Sequence, residues 1–140
     1  YFMAKEELFV PIFFYICASL GAFPVKRGEV DLNAMKRALQ ILKNKKVLGI
    51  FPEGTRSKTG ALGHAEPGAL AIANKGKALV VPTAVIGSNL SLRKTFWPKV
   101  KVVFGEPLVF SEGRMNKVEL EENSKILMGK IQILLEKNKI

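Results

Sequence analysis

The sequence has little of what many catalytic and metal sites are built from. Its 140 residues contain one cysteine, Cys17, and one histidine, His64. A single cysteine excludes an internal disulfide framework. With one histidine and no cysteine pair, a zinc site is not expected. Cys17 lies in an apolar run without a nearby histidine, so it reads as a packed side chain rather than a nucleophile. Acidic residues are also scarce: 12 Asp and Glu stand against 22 Lys and Arg, a formal charge of +10. There is no internal repeat, low-complexity tract or long linker. No signal peptide is visible, and the abrupt opening at Tyr1-Phe2-Met3, without an initiator methionine, reads as the start of a fragment.

What is present is apolar residue in quantity. Hydrophobic residues make up 48% of the chain, enough for a real core, so disorder is not expected. The length suits one domain over residues 1–140. The positive surface seeks anionic partners: nucleic acid, phosphorylated metabolites or an anionic membrane face. Solvated lysines kept for solubility are the plainer reading of the same charge.

Leu8 to Val25 carries no charge. Pro11, Gly21 and Pro24 interrupt it, so a helix from near Pro11 to Gly21 has about three turns and is too short to span a bilayer. Such a helix is either buried or lies in a membrane interface. Ile12, Phe13, Phe14 and Ile16 occupy nearly every side, which favours burial. Asp31 reads as the N-cap of a helix through about Asn44, with Leu32, Met35, Leu39 and Leu42 at helical spacing. Val47 to Phe51 suits a buried strand ending at Pro52. A polar loop follows through Gly63. Pro67 to Lys75 reads as a helix, Ala78 to Ile86 as a second buried strand containing Pro82, Val100 to Phe104 as a half-exposed strand, and Glu119 to Lys137 as a closing helix with Leu120, Leu127, Ile131 and Leu134 on one stripe. The order of elements predicts an α/β fold, a sheet flanked by helices.

The informative stretch is Phe51-Pro52-Glu53-Gly54-Thr55-Arg56-Ser57. It follows a strand, and in open α/β sheets ligands bind outside the carboxyl ends of the strands. Arg56 offers a planar fork of donors that matches phosphate oxygens. Thr55 and Ser57 add hydroxyls, and Gly54 permits close backbone approach. Glu53 repels phosphate, so it pairs with Arg56 or accepts from a substrate hydroxyl. From composition alone, an ordinary turn with an exposed ion pair fits as well as a phosphate site.

Phe51 to Ser57 resembles, at every position, the FPEGTRS block of the PlsC-like phospholipid and glycerol acyltransferase family. Phe2-Met3-Ala4-Lys5-Glu6-Glu7-Leu8 resembles the segment after that family's first motif. Gly21 to Arg27 resembles its second, G-x-x-F-x-x-R, matching at Gly21 and Arg27, with Pro24 where the phenylalanine belongs. Val81-Pro82-Thr83 resembles its fourth. The resemblance covers about Phe2 to Phe110.

The resemblance implies an acyltransferase that moves a fatty acyl chain from acyl-CoA or acyl-carrier protein to 1-acylglycerol 3-phosphate (lysophosphatidic acid), making phosphatidic acid in phospholipid biosynthesis. Glycerol 3-phosphate is the sibling acceptor. Arg27 and Arg56 would clamp the phosphate, Gly54 would allow close approach, and Glu53 would order the loop or the glycerol. Thr55 belongs to the same substrate-binding set. Lys26 reads as a solvated lysine. No metal and no bound cofactor beyond the donor thioester are implied. The family's first motif, H-x-x-x-x-D, supplies a base and its orienting aspartate. It is not in these 140 residues, and His64 cannot replace it, since Ala69 stands five residues on. The 140 residues alone are therefore expected to be inactive.

The implied setting is peripheral, on the cytoplasmic face of an anionic membrane. The different-class alternative is a non-catalytic basic module for anionic lipid or nucleic acid. Nucleic acid is not expected, because the basic stretch Lys36 to Lys46 holds no aromatic. Only Phe96-Trp97, beside Arg93 and Lys94, fits that pattern, and it serves equally as an interface anchor.

Overall fold

The computed structural model describes residues 1–26, 31–55, 57, 61–87, 99–110 and 113–138. Two pieces of sheet and four helices make a mixed α/β domain. Strand β1 (Phe2–Lys5) runs through a 3-10 turn, Glu6–Leu8, into helix α1 (Pro11–Ser19) and strand β2 (Ala22–Val25). Strands β1 and β2 pair in parallel, with Met3 opposite Phe23 and Ala4 opposite Pro24. Residues 47–49 add a third, shorter parallel partner on the other side of β1. Tyr1 N donates to Val47 O, Gly49 N to Tyr1 O and Met3 N to Gly49 O, at 2.7–3.3 Å. The absence of a side chain at Gly49 makes room for the Phe2 ring, which a Cβ there would approach to 2.5 Å.

Helix α2 (Leu32–Lys43) starts where the sequence predicts. The Asp31 side chain accepts from Asn33 N and Ala34 N. Its inner line is Ala34, Ala38 and Ile41, which close on Phe23 from the sheet and Ile72 from helix α3 (Pro67–Lys75). Two alanines let the helix approach the sheet closely. The predicted stripe of Leu32, Met35, Leu39 and Leu42 is thus rotated: Leu32 is 62% exposed. A second core forms where Leu70 of α3 meets Leu127 and Ile131 of helix α4 (Lys117–Lys137). Helix α3 serves both cores, Ile72 facing one and Leu70 the other. Strands β3 (Thr83–Ile86) and β4 (Lys101–Phe104) pair antiparallel beside α4.

Three expectations need correction. Helix α1 has the predicted place and length, but Phe14, Tyr15, Ile16 and Leu20 are exposed, with Tyr15 at 78%. The alternation of side chains turns Met3, Phe23 and Val25 toward α2, leaving Phe2, Ala4, Ala22 and Pro24 on the opposite face. Those residues, two of them alanines, are too small and too few to cover a helix that is apolar from Pro11 to Ala18. The run Val47 to Phe51 is not a buried strand. It pairs around one bridge at Gly49, while Val47 and Phe51 are exposed, because among the described residues no further strand or helix covers its ends. The second predicted buried strand, Ala78 to Ile86, is shortened to Thr83–Ile86. Pro82 lacks the N–H that continued pairing needs, and only a bridge from Val80 to Leu108 lies before it. Ala84 is buried but Leu79, Val81 and Val85 are exposed, so this strand buries one face, not two. Strands β1 and β2 were not predicted at all. Among the described residues no helix is long and apolar enough to cross a membrane.

Candidate active site

Parallel pairing delivers three chain ends to one edge. The carboxyl end of β1 leads into Glu6 and Glu7, that of β2 into Lys26, and the 47–50 segment into Phe51. Across the edge the order is β2, β1, residues 47–49, so neighbouring chain ends are about 5 Å apart and the outer two about 10 Å. The end of β2 through Lys26 and the start of the FPEGTRS block, Phe51 to Thr55, therefore open on the same edge, with Glu6 and Glu7 between them.

The loop after Phe51 is held by its own backbone and one carboxylate. Gly54 N donates to Phe51 O at 3.1 Å, closing a turn. Gly54 has φ +64°, a left-handed conformation that glycine adopts without strain. Glu66 N donates to Pro52 O at 2.7 Å, just before α3 begins. Glu53 Oε2 accepts from Gly63 N, also at 2.7 Å. A Cβ at Gly63 would lie 2.9 Å from that oxygen, so a larger residue there displaces the Glu53 carboxylate. Glu53 thus ties one limb of the loop to the other. Thr55 is exposed at the loop tip, and His64 is exposed on the returning limb. The expectations placed on Arg27 and Arg56, and on Arg93, Lys94, Phe96 and Trp97, lie outside the described residues.

On the other side of the edge, Asp31 joins two elements. Its Oδ1 accepts from Asn33 N (3.1 Å) and Ala34 N (2.9 Å), and its Oδ2 accepts from Lys26 N (3.0 Å). The bonds from Lys26 and Ala34 hold its carboxyl below the ordinary value of 3.8. This clasp fixes the end of β2 against the first turn of α2. Beside it opens a cavity of about 470 Å³ whose walls include Glu6, Phe23, Lys26, Asp31 and Arg37. The Arg37 guanidinium lies 5.2 Å from the centre of the Phe23 ring. Lys5 Nζ pairs with Glu7 Oε1 at 2.7 Å on the rim of β1. Sequence reasoning found Asp31 as a helix cap but not as the tie to Lys26, and it gave no role to Glu6 or Arg37. The signal for the tie was the short spacing from Lys26 to Asp31.

A family model for acyltransferases matches residues 1–86, which include the Phe51–Ser57 loop and the strand ends around it. The chain belongs to the acyltransferase family. Among curated acyltransferases it is 35% identical over 109 residues to the 1-acyl-sn-glycerol-3-phosphate acyltransferase of Bacillus subtilis, covering 77% of this chain and 54% of the relative. It is 30% identical over 141 residues to the enzyme of the same description from Streptococcus pneumoniae, covering 99% of this chain and 52% of the relative. Among solved structures it superposes on the 1-acyl-sn-glycerophosphate acyltransferase PlsC of Thermotoga maritima with a TM-score of 0.66 and 29% identity, over 95% of this chain and 56% of that one. The chain thus spans about half the length of these acyltransferases.

Proposed function

We propose that the protein transfers a fatty acyl chain from acyl-CoA or acyl-carrier protein to 1-acylglycerol 3-phosphate, releasing phosphatidic acid and the free thiol of the donor. The observation that carries this reading is the FPEGTRS block at the carboxyl edge of parallel chain segments, in a member of the acyltransferase family. The acceptor is taken from the descriptions of the relatives. In the reaction the acceptor hydroxyl attacks the thioester carbonyl, the C–S bond breaks, and the hydroxyl proton passes by way of a general base to the departing sulfur. The chain's own part is to hold the acceptor. Arg56 and Arg27 bind the phosphate, and Thr55 adds a hydroxyl. Glu53, tied to Gly63, keeps the loop in the shape that presents them, while Gly54 lets the backbone turn beneath the ligand. The reaction as written draws on no metal and no cofactor other than the donor thioester.

The acceptor carries one acyl tail, so the site must work at a lipid surface. Peripheral attachment to the cytoplasmic face of an anionic membrane is part of the same proposal. Two features support it: the charge of +10 and the exposed apolar side chains of α1. Thiol release by the full-length protein from acyl-CoA or acyl-carrier protein, in the presence of 1-acylglycerol 3-phosphate, is the test. No release with either donor, in a folded protein, refutes the acyltransferase reading.

A further inference from the structure

We propose that Arg37 binds the phosphate of a hydroxyl-bearing phosphomonoester in the cavity between the end of β2 and the first turns of α2, an inference that rests on the acyltransferase reading above. Arg37 is no part of the FPEGTRS block or of the Gly21–Arg27 segment, and it comes from a helix rather than from a loop. It lines the cavity one turn beyond Ala34, and Lys26 lines the same cavity. Stacking over Phe23, itself 1% exposed, fixes where the guanidinium lies. With its central carbon over the ring, the guanidinium still has N–H donors to offer a ligand, and its planar fork matches two phosphate oxygens.

The two carboxylates in the cavity do not compete for this role. Both oxygens of Asp31 are occupied by backbone N–H groups. Among the described residues Arg37 has no carboxylate within salt-bridge distance; the ion pair there joins Lys5 and Glu7. Glu6 can only accept, so it suits a glycerol hydroxyl and not the phosphate. A guanidinium and an acceptor lining one cavity select an ester that carries both groups. The cavity lining includes Phe23, Pro24 and Lys26, so a phosphate held by Arg37 lies next to the end of β2 and the residue that follows it. The plainer role for Arg37 is to cover Phe23 alone, and the experiment separates the two.

Titration of the full-length protein with glycerol 3-phosphate, with 1-acylglycerol 3-phosphate and with glycerol compares the parent with Arg37→Leu and Arg37→Lys. Leucine keeps an apolar cover on Phe23 and removes the donors; lysine keeps charge without the fork. The expected result is about a tenfold or greater loss of phosphomonoester affinity in Arg37→Leu, partial recovery in Arg37→Lys, and an unchanged melting temperature in at least one of the two. Loss for both esters places the lipid headgroup at Arg37; loss for glycerol 3-phosphate alone places the free ester there. Affinity for both esters unchanged within about twofold in Arg37→Leu overturns the proposal, as does an equal loss for glycerol, which has no phosphate. Arg37-dependent phosphomonoester binding in a protein without acyl transfer upholds Arg37 and refutes the acyltransferase reading. Acyl transfer with an acceptor KM indifferent to Arg37 does the reverse.

Discussion

Single residues carry the sharpest consequences. Under the proposed function, Arg56→Ala in the full-length protein removes a charge-assisted, two-pronged contact, with a cost on the order of 2 kcal/mol. Acceptor titrations should show the loss mainly in KM, and Arg56→Lys should recover only part of it. Gly54→Ala acts differently. At φ +64° an L side chain is strained by about 1–2 kcal/mol, and its Cβ would lie 3.1 Å from Glu66 Cγ. Urea denaturation should register that loss of stability with or without substrate. Asp31 yields a prediction in pH. Hydrogen bonds lower its folded-state pKa, so the stabilisation is full above the ordinary value of 3.8 and is lost as pH falls through the lower folded value. Denaturation midpoints for Asp31→Asn should fall less steeply below about pH 4 than those of the parent.

At the scale of elements, the helices were legible and the strands largely were not. Asp31 announces α2 and Pro67 opens α3, both by local chemistry that a sequence displays. The closing helix reads from Glu119 by its apolar stripe and begins at Lys117, behind a capping box of Asn116 and Glu119. Strands β1 and β2 are four residues each and pair across the whole of α1, so nothing local marks them. The loop of the candidate site was legible as a block of residue types, but the partner of Glu53 was not. Gly63, ten residues on, offers only a backbone N–H, which no residue pattern reveals. Periodicity also placed the buried face of α2 one step off, because alanines, not the larger leucines, meet the sheet. That difference is measurable. Leu32→Ser should change stability by less than about 0.5 kcal/mol, whereas Leu70→Ala, at the junction of α3 and α4, should cost about 2–5 kcal/mol in equilibrium unfolding.

At the scale of the whole molecule, charge and exposed apolar surface make a joint prediction about membranes. Phe14 and Tyr15 meet edge to face on helix α1, which has no charged residue, and Phe9, just before the helix, packs edge to face on Phe14. Co-sedimentation of the full-length protein with anionic vesicles should weaken with salt but keep a residue of binding at about 0.5 M, where screening lengths are a few ångströms. Replacing Phe14 and Tyr15 together by serine should remove that residue of binding and leave the low-salt part. Absence of binding at low salt would end the membrane proposal; complete loss at high salt in the parent would end its apolar half. The small parallel sheet has a further property that bears on solubility. Phe2 N donates to Gly21 O, so by alternation Gly21, Phe23 and Val25 face β1 while Ala22 and Pro24 turn their backbone outward. The outer edge of β2 therefore lacks the donor that a strand from another chain would need at its centre. Pro24, the residue that breaks the family pattern, acts as a stop: on that side the sheet ends with this molecule and does not recruit the next.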